Sequence, residues 1–243
     1  MSDGARAAAH GTGGVVRAPP TVGVAVPAAG AGRRMGGVRK PFLELAGEPV
    51  LLHALRPFLS DSRVVAVAVA LAEEDAASPP EWLVECDPRV SVVCGGETRT
   101  ESVRRAIEAL PPEVTLIAVH DAARPLVSTA VVAECIEVAG TGVGAVAGCP
   151  ALDTMKQVDQ DRLVVSTPDR GTLWHAQTPQ IFPADILRRA YQRADGNATD
   201  DAVLVERAGG RVRMIDAGRG NMKVTDPGDI AIAEAYLAEL AAG

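Results

Sequence analysis

The chain is poor in aromatic side chains, with two Trp, two Tyr and three Phe among 243 residues. A core has to be built mainly from Ala, Val, Leu and Ile, within an apolar share of 47%. Positive charge is not in excess. Lys and Arg number 24 against 31 Asp and Glu, a formal net charge of −7. That balance excludes a broad nucleic-acid binder. A compact phosphate ligand stays open, because it needs only a local group of cations and backbone N–H groups. The four cysteines, Cys86, Cys94, Cys135 and Cys149, contain no Cys-x-x-Cys pair, so no zinc framework is visible. They read as small buried hydrophobes in a reducing compartment, and a cytoplasmic location is expected. No apolar run approaches the ~20 residues of a membrane span; the longest is Val64–Ala72. Residues 1–20 lack a basic n-region and an apolar h-region, which argues against a secretory signal. Residues 1–21 are expected to be a flexible tail.

What is present becomes regular after Pro20. Thr21–Val26 predicts a buried strand. A loop from Pro27 to about Gly47 holds five glycines. Pro49–Ser60 carries apolar residues at helical spacing, and Arg63–Leu71 is a near-continuous apolar run. Val90–Val93 predicts a short strand. Thr98 and Glu101 form a T-x-x-E capping box for a helix to about Leu110. Val114–His120 and Gly144–Cys149 predict two more strands, with a helix from Ser128 to about Ala139 between them. Strands that are apolar on both faces, alternating with helices, imply an α/β fold with a doubly wound, mostly parallel, Rossmann-like sheet. Between Pro150 and about Gln180 the helical pattern stops. β-like pieces at Thr154–Val158 and Arg162–Ser166 predict a hairpin-like arm. Helices at Pro183–Ala194 and Asp200–Ala208, a strand at Arg211–Ile215, an extended piece at Met222–Thr225 and a helix from Pro227 complete the chain. The expected organisation is one domain, residues 22–243, with an arm protruding at about 150–180.

Chemistry first shows in Pro27-Ala28-Ala29-Gly30-Ala31-Gly32-Arg33-Arg34-Met35, directly after the first strand. Small residues let backbone N–H groups approach phosphate oxygens. In an open parallel sheet, ligands bind at the carboxyl ends of the strands. Arg33, Arg34, Arg39 and Lys40 place four cations in eight residues of an acidic chain. The segment is not a dinucleotide fingerprint, since Gly30-x-Gly32-x-x-Met35 lacks the third glycine and the acidic residue after the second strand, Glu73, lies 43 residues beyond Gly30 rather than about 20. It suits a loop wrapping a nucleoside triphosphate. Other stretches are ambiguous on chemistry alone. Gly95-Gly96-Glu97-Thr98-Arg99 is a turn feeding a helix. Asp121 and Arg124 could be a local ion pair or face a substrate. Thr199-Asp200-Asp201 reads as a helix cap, and Lys223 as a solvated side chain.

Five motifs in order resolve part of this ambiguity. Pro27–Met35 with Lys40, Val119-His120-Asp121-Ala122-Ala123-Arg124-Pro125, Asp153-Thr154-Met155-Lys156, Leu173–Gln180 and Asn221-Met222-Lys223-Val224-Thr225 resemble the 2-C-methyl-D-erythritol 4-phosphate cytidylyltransferase family of the non-mevalonate isoprenoid pathway. The resemblance covers about Val22 to Leu240. It implies a nucleotidyltransferase-type fold and transfer of CMP from CTP to the methylerythritol phosphate. It assigns Arg34, Lys40 and Lys223 as catalytic cations. Pro27, Ala28, Ala29, Gly30, Gly32, Gly96, Glu97 and Ser102 would hold the nucleotide. Asp121, Arg124, Thr154, Arg170 and Thr178 would hold the acceptor. Mg²⁺ is expected on the CTP phosphates, with no protein ligand assigned. The arm is expected to pack on a partner subunit, giving a homodimer that completes the acceptor-phosphate pocket. An ionised phosphate nucleophile needs no general base, which lowers the catalytic standing of His10, His53, His120 and His175. Pro41 departs from the family, where Gln is common after the active-site lysine. Rivals are a pentitol (ribitol) 5-phosphate cytidylyltransferase, expected to carry a bulkier residue at the position of Ala123, and a non-catalytic nucleotide sensor. An oxidoreductase is the most remote.

Overall fold

The computed structural model describes residues 18–30, 40–194 and 198–242. In chain order the elements are β1 (Val22–Pro27), a 3-10 turn (Lys40–Phe42), β2 (Glu44–Leu45), β3 (Glu48–Pro49), α1 (Val50–Leu59), β4 (Val64–Leu71), α2 (Glu73–Ala77), α3 (Glu81–Val84), β5 (Val90–Cys94), α4 (Arg99–Ala109), β6 (Leu116–Val119) and α5 (Thr129–Gly140). Then come β7 (Gly144–Pro150), β8 (Gln157–Val158), β9 (Val164–Ser166), a second 3-10 turn (Arg170–Thr172), β10 (Trp174–Pro183), α6 (Ala184–Gln192), α7 (Asp201–Arg207), β11 (Val212–Asp216) and α8 (Gly228–Ala242).

Seven strands form the central sheet in the order β11-β7-β10-β6-β1-β4-β5. All neighbours pair in parallel except β10, which runs antiparallel to both β6 and β7. The mostly parallel, doubly wound expectation therefore holds. Small side chains shape one face of this sheet. Val22, Val24 and Val26 of β1, with Val67, Val69 and Leu71 of β4, pack against Leu51, Leu55 and Phe58 of α1 and against α5. The alternate positions of the same strands are Gly23, Ala25, Ala66, Ala68 and Ala70. Against them lie Val103, Ala106 and Ile107 of α4. A Cβ at Gly23 would come within 2.9 Å of the Leu110 side chain, so α4 sits close to the backbone of β1. A stripe of Ala and Gly brings the start of α4, and the turn before it, down onto the ends of β1 and β4. A smaller cluster of Leu45, Val50, Leu126 and Ala233 seats α8 against the β2–β3 hairpin.

Several expectations change. Trp174–Pro183 is a full strand inside the main sheet, and Thr178 belongs to that strand. The arm is accordingly shorter than 150–180 and centres on the exposed β8–β9 hairpin. Thr21, counted with the tail, is tied to the sheet through Thr115, whose N–H donates to its carbonyl at 2.9 Å. Met222–Thr225, expected as an extended piece, has no regular secondary structure and is tied to the site by the Val224 N–H, which donates to the Ala123 carbonyl at 2.8 Å. Cys135 is buried and Cys149 half-buried, but Cys86 and Cys94 are exposed, so the buried-hydrophobe reading fails for those two. Cys94 ends β5 at the sheet edge, and Cys86 follows the short α3.

Candidate active site

Three carboxyl ends meet on one rim of the sheet. After β1, the Ala28 N–H donates to the Ala70 carbonyl at 2.8 Å. After β5, the Gly95 N–H donates to the Leu71 carbonyl at 2.7 Å. These two turns touch, for a Cβ at Gly95 would stand 2.5 Å from Ala29 Cβ and 3.1 Å from the Leu71 carbonyl oxygen. The expected nucleotide residues Ala28, Ala29, Gly96, Glu97 and Ser102 are thus brought to one place, with Pro27 ending β1 and Gly30 exposed. Ser102 fastens its turn by accepting from the Gly96 N–H at 3.1 Å and donating to the Thr98 carbonyl at 2.9 Å. Thr98 caps α4 by accepting from the Glu101 N–H at 3.1 Å. The return half of the expected capping box is displaced by one residue. Glu101 accepts from the exposed Glu97 N–H at 3.1 Å rather than from that of Thr98. Gly32, Arg33, Arg34 and Arg39 lie outside the described residues. Lys40 opens the 3-10 turn, where Pro41 needs no N–H donor of its own.

After β6, Asp121 gathers three cations. Its Oδ2 accepts from Lys223 Nζ at 2.7 Å and lies 3.7 Å from Arg124 Nε. Its Oδ1 accepts from Arg99 Nε at 3.2 Å. Arg99 in turn grips the fully buried Asp201 with both terminal nitrogens, Nη1 to Oδ1 at 3.0 Å and Nη2 to Oδ2 at 2.7 Å. The Tyr191 hydroxyl also donates to Asp201. Burial alone would raise the Asp121 carboxyl, yet Arg99, Lys223 and Arg124 outweigh it and hold the group well below the usual carboxylate range. Burial likewise opposes the charge of Arg99, but the two aspartates raise its affinity for its proton. For Arg124 burial wins, and its guanidinium is lowered despite Asp121. Arg124 spends one nitrogen on the Asn221 carbonyl at 2.8 Å, while its buried Nε has no hydrogen-bond partner among the described residues.

His120 and Thr178 set the backbone beneath this cluster. The Asp121 N–H donates to Thr178 Oγ1 at 3.0 Å, and that oxygen lies 3.1 Å from His120 Nδ1. His120 Nε2 lies 3.1 Å from the Arg124 carbonyl, which can only accept. The proton therefore sits on Nε2, and the Thr178 hydroxyl donates to Nδ1. Burial pushes this imidazole down to about 4, so it is neutral. Thr178, expected on the acceptor, here has its hydroxyl committed to this chain of bonds. On the arm, Thr154 is exposed and Arg170 donates to the Leu152 carbonyl at 2.7 Å. Neither bonds to the Asp121 cluster within this chain.

Sequence reasoning missed Arg99, Asp201 and Tyr191 as a unit. It also missed Gln180, whose Oε1 accepts from the first-turn N–H groups of Asp201 and Ala202 at 3.1 and 2.8 Å. Asn221, buried and donating to Gln177 Oε1 and the Thr178 carbonyl at 2.9 Å each, joins them. The available signal was polar residues inside otherwise apolar stretches, since such groups are retained when bonded. Asp200 does cap α7, accepting from the Val203 N–H at 3.0 Å.

Asp201 neutralises Arg99, which leaves Arg124 and Lys223 facing the single charge of Asp121. The remaining positive excess, beside two backbone-rich turns, suits an anion. Among the described residues no three His, Cys, Asp or Glu side chains group closely enough to hold a metal ion. Asp121 is already satisfied by cations, so these residues do not fit a protein-held Mg²⁺. No helix among the described residues is long and apolar enough to cross a membrane.

Comparison with known proteins agrees with this geometry. The family model described as "IspD: 2-C-methyl-D-erythritol 4-phosphate cytidylyltransferase" matches residues 22–239. The chain is 44% identical over 223 residues to the 2-C-methyl-D-erythritol 4-phosphate cytidylyltransferase of Symbiobacterium thermophilum, covering 90% of this chain and 93% of that one. It is 41% identical over 217 residues to the enzyme of the same name from Parasynechococcus marenigrum, covering 88% and 96%. Among solved structures, 4-diphosphocytidyl-2C-methyl-D-erythritol synthase from Anaerococcus prevotii superposes with a TM-score of 0.81 at 26% identity, covering 90% and 97%. The cytidylyltransferase from Thermus thermophilus superposes with a TM-score of 0.72 at 32% identity, covering 90% and 98%. A match along nearly the whole folded chain, with the Asp121 cluster at the sheet rim, places this chain in the 2-C-methyl-D-erythritol 4-phosphate cytidylyltransferase family.

Proposed function

We propose that the chain transfers CMP from CTP to 2-C-methyl-D-erythritol 4-phosphate and releases pyrophosphate, in isoprenoid precursor biosynthesis. Membership of the family supports the reaction. The observation that carries it is the Lys223–Asp121–Arg124 group beside the joined Ala29 and Gly95 turns. An acceptor phosphate oxygen attacks the α-phosphorus of CTP. The bond from that phosphorus to the bridging oxygen breaks, and pyrophosphate leaves with the electron pair. Both reactants are anions, so the chain's task is positioning and charge stabilisation. Lys223, about 40% exposed, can turn from Asp121 toward the α-phosphate. Lys40 and Arg34 are assigned to the same developing charge. The backbone of Pro27–Gly32 and the Gly96–Ser102 turn hold the nucleotide, while Asp121 accepts from acceptor hydroxyls and Arg124 faces the acceptor phosphate. Mg²⁺ arrives with the CTP phosphates in this reading, and no step depends on a protein ligand to it.

The second part of the proposal is a homodimer working in the cytoplasm. The arm exposes Leu152, Val158, Leu163, Val164 and Val165, and Trp174 at the start of β10 adjoins it, more apolar surface than a solvated hairpin needs. Covering it with a second copy would bring Arg170 and Thr154 of one subunit toward the other's acceptor phosphate. A substrate panel tests the reaction. Purified chain with CTP, UTP or ATP is combined with methylerythritol 4-phosphate or ribitol 5-phosphate, and pyrophosphate release is followed. CTP with methylerythritol phosphate is the expected best pair. Preference for the pentitol phosphate, or no release with any pair, would overturn the reading. The pentitol alternative is not favoured, since the relatives matched are named for the methylerythritol reaction.

A further inference from the structure

We infer that Arg99 is a positioning residue for the transfer, orienting the Asp121 carboxylate, and through it Lys223, against the buried Asp201 of α7. This role rests on the cytidylyltransferase reading above. Every donor-bearing nitrogen of the Arg99 side chain is in use. Nε donates to Asp121 Oδ1, while Nη1 and Nη2 hold the two oxygens of Asp201. Asp201 cannot yield. It is fully buried, takes the Tyr191 hydroxyl, and its N–H is held by Gln180 of β10. Arg99 is thus a fixed arm with one end anchored in the fold and the other on the reactive cluster.

The far end of that arm decides which cation Asp121 serves. Oδ1 is held by Arg99, which leaves Oδ2 to Lys223 at 2.7 Å and keeps it 3.7 Å from Arg124 Nε. Among the described residues that Nε is a buried donor without a hydrogen-bond partner, so it competes for any carboxylate oxygen set free. If Arg99 lets go, the carboxylate can rotate toward Arg124, and Lys223 loses its anchor. Arg99 is also the first residue of α4, directly after the Thr98 cap of the Gly95–Ser102 turn. The same side chain therefore links the nucleotide turn to the acceptor side. Lysine cannot replace it, because one ammonium cannot reach Asp121 and both oxygens of Asp201 in the fixed geometry of a guanidinium.

A double-mutant cycle on the full-length chain tests this. Arg99→Lys, Asp121→Asn and the double variant are assayed by pyrophosphate release, alongside a thermal midpoint to confirm folding. Arg99→Lys is expected to lower kcat/KM for the acceptor by about 10- to 100-fold while the KM for CTP moves less than about threefold. In the Asp121→Asn background the same change should cost less than about threefold, because no second carboxylate oxygen is left for Arg99 to direct at Lys223. Additive effects, or Arg99→Lys with unaltered kinetics, would overturn the role, since a purely structural side chain acts regardless of Asp121. If Arg99→Lys does not fold, Asp201→Asn enters the cycle in its place with the same two outcomes. An inactive wild-type chain would remove both the reaction and this role; an active wild type with an additive cycle removes only the role.

Discussion

Lys223 Nζ and Asp121 Oδ2 lie 2.7 Å apart although 102 positions separate them in the chain. A lysine paired with a carboxylate before substrate binds is already oriented, and it is released only when a stronger anion competes. The α-phosphate of CTP is such an anion. If Lys223 serves the transition state as proposed, Lys223→Ala should reduce turnover by at least ~10²-fold, of order 3 kcal/mol. Lys40→Ala should do the same. Circular dichroism and the unfolding midpoint check that the fold persists, and normal turnover in either variant would remove it from the mechanism.

Among the described residues the Arg170 side chain bonds only to the Leu152 carbonyl, and it sits exposed in the 3-10 turn that leads from the arm into β10. If it serves a partner's acceptor phosphate, Arg170→Ala should chiefly raise the KM for the acceptor. Mixing then locates it. Arg170→Ala chains combined with Lys223→Ala chains form mixed dimers in which one site has both wild-type groups. Activity should recover to about one quarter of wild type after random exchange, as two-fold symmetry dictates. Complementation that never appears would place Arg170 in the site of its own subunit or outside it.

β1, β4, β6 and β7 were legible because they are apolar runs on both faces, such as Val64–Leu71. β10 was not. Its sequence, Trp174–Pro183, mixes His175, Gln177, Thr178 and Gln180 with apolar residues, and only in three dimensions do the last three become buried hydrogen-bonding groups. The site divides in the same way. Asp121, Arg124 and Lys223 sit in recognisable motifs, whereas the link from Arg99 to Asp201 again joins residues 102 positions apart. Nothing local in Thr98-Arg99-Thr100 announces a partner. His120 could be set aside as a base from the chemistry, but its bond to Thr178 depends on an antiparallel strand that the pattern did not reveal.

Gly95 is where the turns after β1 and β5 meet. Alanine there would overlap Ala29 and crowd the Leu71 carbonyl. The Leu71 oxygen belongs to a central strand and cannot retreat, so the Ala29 loop must. Gly95→Ala should therefore raise the KM for CTP by about tenfold, the equivalent of ~1.4 kcal/mol, with a smaller effect on the acceptor. Steady-state kinetics with each substrate varied in turn would show this. An unchanged KM for CTP would mean that contact between the two turns does not position the nucleotide.

His120 makes stability depend on pH. Its imidazole is fully buried, and burial lowers it from 6.5 to about 4 against the smaller opposing pull of the Arg124 carbonyl and Asp121. The unfolded chain thus binds a proton at pH 5 to 6 that the folded chain refuses. Because the folded value is depressed, the stabilisation is present above about pH 6.5 and is lost as pH falls toward 4, by about 3 kcal/mol for a shift of this size. Protonation would also turn Nδ1 into a donor facing the Thr178 hydroxyl, breaking the chain of bonds that holds the Asp121 backbone. The carboxyl of Asp121 titrates lower still, held down by Arg99, Lys223 and Arg124, so its own contribution is lost below that window. Denaturant unfolding between pH 4 and 7 should show stability rising with pH across it. His120→Gln should flatten that rise by about one proton, since Gln does not titrate. An equal slope in both proteins would assign the proton uptake to another group.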